Sequence, residues 1–155
     1  MRNYFIIMIA LASLLCGCKG YREIEVKDVN LERFRLVSAS KINLDIDADV
    51  YNPTKAEFTV SDIQGVVYRD DVPFANIALL KEVAVPAFHN KGVLLKCQVE
   101  LLDPMAVLVM GLNVKSWNMK EFRMKLKVTV KKGGMRKTFK VNDIPLDRLV
   151  KKIKL

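Results

Sequence analysis

Three cysteines and one histidine carry most of the chemistry this chain could offer. Cys16 and Cys18 close an apolar run near the start, and Cys97 stands alone downstream. A thiolate is a strong nucleophile, so each is a candidate for covalent chemistry. His89 sits in Phe88-His89-Asn90-Lys91-Gly92 with no second soft ligand beside it. A metal centre needs several converging ligands, and a Ser–His–Asp or Cys–His device needs a nucleophile arranged against its base. Neither pattern is present, so no metal and no catalytic residue is expected. Asp45, Asp47 and Asp49 recur at every second residue. In a strand they would share one face at steps of about 7 Å, without the turn that a calcium loop needs. An open strand has no cleft in which to tune a carboxyl pair, so this row is expected to be a solvated or salt-bridged face. The chain is not expected to be an enzyme.

The two early cysteines have a different context. Met1-Arg2-Asn3 is a short positive start, and Tyr4 to Leu15 is an almost unbroken apolar run. As a helix that run would span about 18 Å, against roughly 30 Å of bilayer hydrocarbon. Residues 1–17 therefore read as an export signal and not as a spanning helix. Leu15-Cys16-Gly17-Cys18 resembles the lipobox of bacterial lipoproteins, with Leu at −3, a small residue at −1 and Cys at +1. The resemblance implies a diacylglyceryl thioether on Cys18, cleavage before it, and palmitate-type acylation of the new amino group. Cys16 fits worse, because Leu15 would then occupy −1. No cofactor is expected beyond this covalent lipid. Lys19-Gly20 follow, with no Asp next to the cysteine and no acidic run. By the same resemblance this implies an outer-membrane lipoprotein facing the periplasm. Residues 18–28 would then be the lipidated cysteine and its tether, and 29–155 the domain. Cys97 alternates with polar residues in Val93 to Leu101, which turns it inward with Leu95, Val99 and Leu101 as a packed core thiol.

The formal net charge of +9 is unevenly spread. Residues 19–114 carry 11 Lys/Arg and 14 Asp/Glu, whereas residues 115–155 carry 14 and 3. The late positive segment contains Arg123, Lys125, Lys127, Lys131, Lys132, Arg136 and Lys140, a basic hairpin suited to an anionic surface. In an exported protein that means phospholipid headgroups or an envelope polymer before nucleic acid. Aromatic residues are scarce there, which also argues against a single-stranded nucleic-acid site.

The elements that must position these residues are strands. In Lys41 to Tyr51, Ile42, Leu44, Ile46, Ala48 and Val50 alternate with polar residues, a half-buried strand that Asn52-Pro53-Thr54 ends. Further strands are expected over 21–36, 58–68 (irregular near Gly65), 74–85 (irregular near Leu79-Leu80), 93–101, 122–131 and 136–141. Asp103-Pro104 starts a short apolar helix over Met105 to Leu112 that should be largely covered. Trp117 should sit in the core or at its boundary. Leu146 to Leu155 has the spacing of a basic amphipathic helix but is too short to stand alone, so packing on the domain or a frayed strand is expected instead. About seven strands with one short helix between the late ones make an all-β, antiparallel sandwich of immunoglobulin or fibronectin-III type. In it, the Lys41–Tyr51 strand should pair with Val93–Leu101. The basic hairpin should lie in the other layer, facing away from the Asp row.

Val50-Tyr51-Asn52-Pro53 at the end of an alternating strand resembles the signature of type-2 late-embryogenesis-abundant proteins, which share the water-stress-and-hypersensitive-response (WHy) domain. Val72-Pro73-Phe74-Ala75, Val83 to Ala87 and the Val93–Leu101 strand before a short helix fit the same layout, over roughly residues 29–141. The resemblance implies a sandwich linked to stress tolerance and to no defined reaction. It carries over only Asn52 and Pro53, as structural turn residues. The expected function is a membrane-anchored, non-catalytic module that binds or protects a component of the envelope: anionic lipid, a polymer or another envelope protein. The alternative is a lipid- or glycolipid-binding module with an apolar cavity between the sheets or beneath the helix.

Overall fold

The computed structural model describes residues 23–111, 113, 116–147 and 153–154. The expected export signal, Cys18, Leu112 and most of the 146–155 tail lie outside the described residues.

Period-two alternation becomes long strands: β1 (Glu25–Leu36), β2 (Lys41–Asn52), β3 (Phe58–Arg69), β4 (Val72–Leu79), β5 (Val83–Val85), β6 (His89–Leu101), β7 (Phe122–Lys132), β8 (Met135–Pro145) and β9 (Ile153–Lys154). One helix, α1 (Pro104–Met110), and a 3-10 turn at Met119–Glu121 link β6 to β7. The fold is an open, sandwich-like, mostly antiparallel β structure. One layer is β1-β2-β6 and the other β8-β7-β3, with β5 continuing beside β3.

The layers are not separate sheets. Strand β4 pairs with β3 through Gln64↔Ala78 to Arg69↔Val72 and with β6 through Ala75↔Leu101 to Leu79↔Cys97. It is a corner strand that joins both layers into one curled sheet. A corner residue faces the interior from either ladder, so Phe74 and Ala75 are both buried. The expected 74–85 strand is thus two strands, β4 closing one end of the sandwich and β5 serving β3 at the other. Strand β3 runs through Gly65 without a break. Its register shifts fall at Val60/Asp62 against β7 and at Val67/Tyr68 against β4.

Strand β2 pairs with β6 from Lys41↔Glu100 to Asn52↔His89, and β7 pairs with β8 across a Gly133–Gly134 turn. Both glycines have positive φ, the requirement of a two-residue turn that matches strand twist. The turn fixes the hairpin register: Lys132↔Met135, Lys131↔Arg136 and Lys127↔Lys140.

Two apolar clusters fill the interior. Ala48, Val50, Phe58, Val85, Val93 and Val130 meet at the end where β1 begins, here called proximal. Val67, Phe74, Ala75, Phe122 and Met124 meet at the other, distal end. Trp117 caps the distal cluster. Its ring stacks on Phe122 at 5.8 Å between centroids and meets Phe74 edge-on at 6.0 Å. Its Nε1–H donates to the Gly111 carbonyl at 2.8 Å, which ties down the end of α1.

Helix α1 departs from expectation. Asp103 caps it by accepting from the Ala106 N–H at 3.1 Å, but none of its residues is buried. Ala106, Val107 and Met110 rest on the distal cluster, while Met105, Leu108 and Val109 point outward, Val109 at 86% exposure. A seven-residue helix lying on one sheet end has only one side to cover. Of the 146–155 tail, Leu146 packs on the distal cluster. Ile153–Lys154 adds to β1 as a parallel edge strand, the second expected alternative.

Candidate functional site: a cationic outer face

Alternation along β7 sends Phe122, Met124 and Val130 into the core and Arg123, Lys125, Lys127 and Lys131 to the outside. The hairpin register adds Arg136 and Lys140 from β8 to the same outer face. The expected basic residues are therefore brought together on one surface, but their surroundings differ. Arg123 grips Asp143, with Nη1 at 2.6 Å from both carboxylate oxygens. Lys131 reaches Glu82 at 2.5 Å. Lys125 lies over the Tyr68 ring, 4.8 Å from its centroid, where the π-face attracts a cation. Lys132 sits at the end of β7 beside the turn.

Lys127 and Lys140 stand directly opposite one another, and Lys131 stands opposite Arg136. Like charges across a ladder are destabilising. No salt bridge among the described residues involves Lys127, Lys140 or Arg136. Thr129 and Thr138 lie between the two cationic pairs, their hydroxyls hydrogen-bonded at 3.0 Å. The result is an exposed cationic face on which Lys127, Lys140 and Arg136 have no carboxylate partner among the described residues, while Lys131 and Arg123 have one each.

The opposite layer carries the acidic row. Asp45, Asp47 and Asp49 line the outer side of β2, with Asp28 of β1 directly opposite Asp49. Asp45 faces Lys96 across the ladder and lies 4.0 Å from Arg33. Strands β2 and β7 belong to different layers. The Asp row and the Lys row therefore lie on opposite outer faces, but Arg33, Arg35 and Lys96 stand among the carboxylates, so the β2 face is mixed in charge where the β7–β8 face is cationic.

The remaining candidates fall elsewhere. Cys97 is 3% exposed on the inner side of β6, and burial pushes its thiol pKa up, away from reactivity. His89 opens β6 opposite Asn52, with Nε2 buried and no hydrogen-bond partner. Among the described residues no group of three or more His, Cys, Asp or Glu converges as metal ligands would. Asn52 is fully buried. Its amide donates to the Pro86 carbonyl at 2.7 Å and the Ala56 carbonyl at 3.0 Å, and its oxygen accepts from the Thr54 hydroxyl and N–H. Asn52 thus satisfies two loops at once, and Pro53 ends the strand beside it.

Two depressions lie on the outside of the sandwich and not between its layers. One, of about 160 Å³, is lined by Arg33, Arg35, Asn43, Asp45, Leu80 and Lys96. The other is lined by residues 81–84 with Leu94 and Lys96. Both mix charge with apolar surface, unlike an apolar lipid chamber. Sequence reasoning missed the partners that divide the basic residues, namely Tyr68, Glu82 and Asp143. The like-charge pairs were readable, because a two-residue Gly133-Gly134 turn dictates which lysines face each other.

No family model matches the sequence, and no curated protein matches it. Similarity is found among solved structures. The crystal structure of a protein from Archaeoglobus fulgidus is 14% identical, with 76% of this chain and 91% of that chain covered and a TM-score of 0.52. The yeast GGA1 GAE domain is 15% identical, covering 79% of this chain and 89% of that one, with a TM-score of 0.35. A β-glucuronidase of glycoside hydrolase family 2 is 10% identical, with 74% of this chain but only 12% of that chain covered, at a TM-score of 0.37. At 14% identity the likeness to the Archaeoglobus fulgidus protein is one of fold.

Proposed function

We propose that this chain is a membrane-anchored envelope lipoprotein whose non-catalytic sandwich holds an anionic component of the cell envelope against the β7–β8 face. One observation carries the binding half of this reading: Lys127 opposes Lys140 on one exposed face, and Arg136 opposes a Lys131 whose ammonium is taken by Glu82. A fold that keeps such pairs forgoes stability it would gain from a single Glu at either position. An anionic ligand that bridges the pairs offsets the repulsion. The anchoring half rests on the Leu15-Cys16-Gly17-Cys18 sequence after the apolar run. Several acyl chains hold a protein stably at a membrane, where a single chain does not. The spread of Asp45, Asp47 and Asp49 along an open strand, and the single histidine, favour binding over catalysis. The resemblance to the WHy domain adds protection under water or salt stress as the setting.

The test is in-cell photo-crosslinking from position 138, between the two cationic pairs. Capture of a phosphate- or carboxylate-bearing envelope component is expected. It should be lost when Lys127, Arg136 and Lys140 are all changed to Glu. Equal capture from Asn43 on the opposite face, or capture that survives the reversal, contradicts the reading.

A further inference from the structure

The sandwich exposes apolar side chains at both ends, and the tether decides which end meets the bilayer. The proximal end holds the start of β1 at Glu25, opposite Tyr51, together with the Pro86–Asn90 loop and the Gly133–Gly134 turn. Phe88 lies at this end with φ +52, a left-handed backbone that a bulky residue rarely adopts. Its ring is nevertheless 67% exposed. Met135, directly after the turn glycines, is 63% exposed in a position where any polar residue would serve. Lys131, Lys132 and Arg136 flank it, and Glu25, Glu57, Lys27, Lys55 and Lys91 lie at the same end.

We infer that the proximal end is a lipid-docking surface, with Phe88 and Met135 seated among the headgroups and Lys131, Lys132 and Arg136 on the phosphates of an anionic bilayer. This rests on the acylation of Cys18. From Cys18 to Glu25 the chain spans at most about 25 Å. Strand β1 runs about 40 Å from there to the distal end. With the sandwich upright on its tether, the exposed side of α1 stands about 40 Å farther from the bilayer, and the proximal end is the first to come down onto that surface. Apolar tips beside cations suit the interfacial layer, where rings and thioethers leave water while charges stay with the headgroups. The upper part of the cationic face, Lys127 and Lys140, remains clear of the bilayer.

The test uses the full-length acylated protein reconstituted into phosphatidylethanolamine–phosphatidylglycerol vesicles. A nitroxide is placed on Phe88→Cys, Met135→Cys or, as distal reference, Val109→Cys; buried Cys97 stays unlabelled. Labels at 88 and 135 should lose accessibility to a water-soluble nickel reagent and keep it for oxygen, while the label at 109 stays accessible to nickel. The protection should weaken when Lys131, Lys132 and Arg136 are changed to Gln, or when phosphatidylglycerol is left out. Aqueous labels at 88 and 135 in protein whose N-terminal peptide carries its acyl chains overturn the docking surface and leave the anchor standing. An N-terminal peptide without acyl chains overturns the anchor, and the docking surface with it. Immersion at 109, or protection indifferent to lipid charge, overturns the orientation or the role of the cations respectively.

Discussion

Lys127 and Lys140 face each other across the β7–β8 ladder on the outer surface of the sandwich, with no carboxylate bridging them among the described residues. The pair opposes folding, and in the proposed reading an anionic ligand relieves it. Lys140→Glu should therefore stabilise the domain by about 0.5 kcal/mol at low salt, by replacing a repulsive pair with an attractive one. Urea unfolding at low and high ionic strength checks this, since the gain should shrink as salt screens the pair. The same change should weaken capture of the envelope component. A variant that is less stable at low salt would show that the lysines are held apart by something else.

Cys97 should resist alkylation in the native protein and react once it is unfolded. Its burial on the inner side of β6 both excludes reagent and raises the thiol pKa. Cys97→Ser should destabilise by about 1–3 kcal/mol, by placing a hydroxyl where no partner stands. Thiol labelling with and without urea, followed by mass spectrometry, reads both states.

Asn52→Ala should cost about 2–4 kcal/mol, because it strands the Pro86 carbonyl and the Thr54 N–H at a fully buried position and leaves the Ala56 carbonyl only the Thr54 hydroxyl. Asn52→Asp is worse at neutral pH. It keeps the acceptor but turns a negative charge toward two carbonyl oxygens. Protonation removes that charge, so the gap to the parent should narrow as pH falls toward 4. Chemical denaturation at pH 7 and pH 4 decides the matter.

Phe122→Ala should cost about 3–5 kcal/mol. Phe122 is 2% exposed, meets Phe74 edge-on at 5.3 Å and supports the Trp117 ring. Since Trp117 holds Gly111, the loss should propagate to α1. Hydrogen exchange at the backbone amides of Ala106 to Met110 should accelerate more than at β2 amides.

Strands whose two faces meet different solvents were legible from the residues. In β2 the contrast between Ala48 and Val50 inside and the Asp row outside settles register by itself, and β6 follows from the same alternation around Cys97. The β7–β8 hairpin was legible for the same reason. A strand over β4 was legible but its corner role was not, because Phe74 and Ala75 are inward on consecutive residues and break the period. Helix α1 misled for the opposite reason. An all-apolar segment reads as covered, yet Met105, Leu108 and Val109 face out because nothing among the described residues lies over them. In the candidate site, the cations themselves were visible. Their division into satisfied and uncompensated members depends on Glu82, Asp143 and Tyr68, which tertiary pairing brings in from other positions.

The account as a whole depends on Cys18, and the mass of the mature N-terminal peptide tests it most directly. Protein recovered from envelope membranes should begin at Cys18, with a diacylglyceryl thioether on sulfur and an acyl chain on the amino group. Cys18→Ser should accumulate as an unacylated precursor that still carries residues 1–17. A mature chain with an unmodified thiol at Cys18, or acyl labelling that persists in Cys18→Ser, would contradict membrane anchoring through this residue.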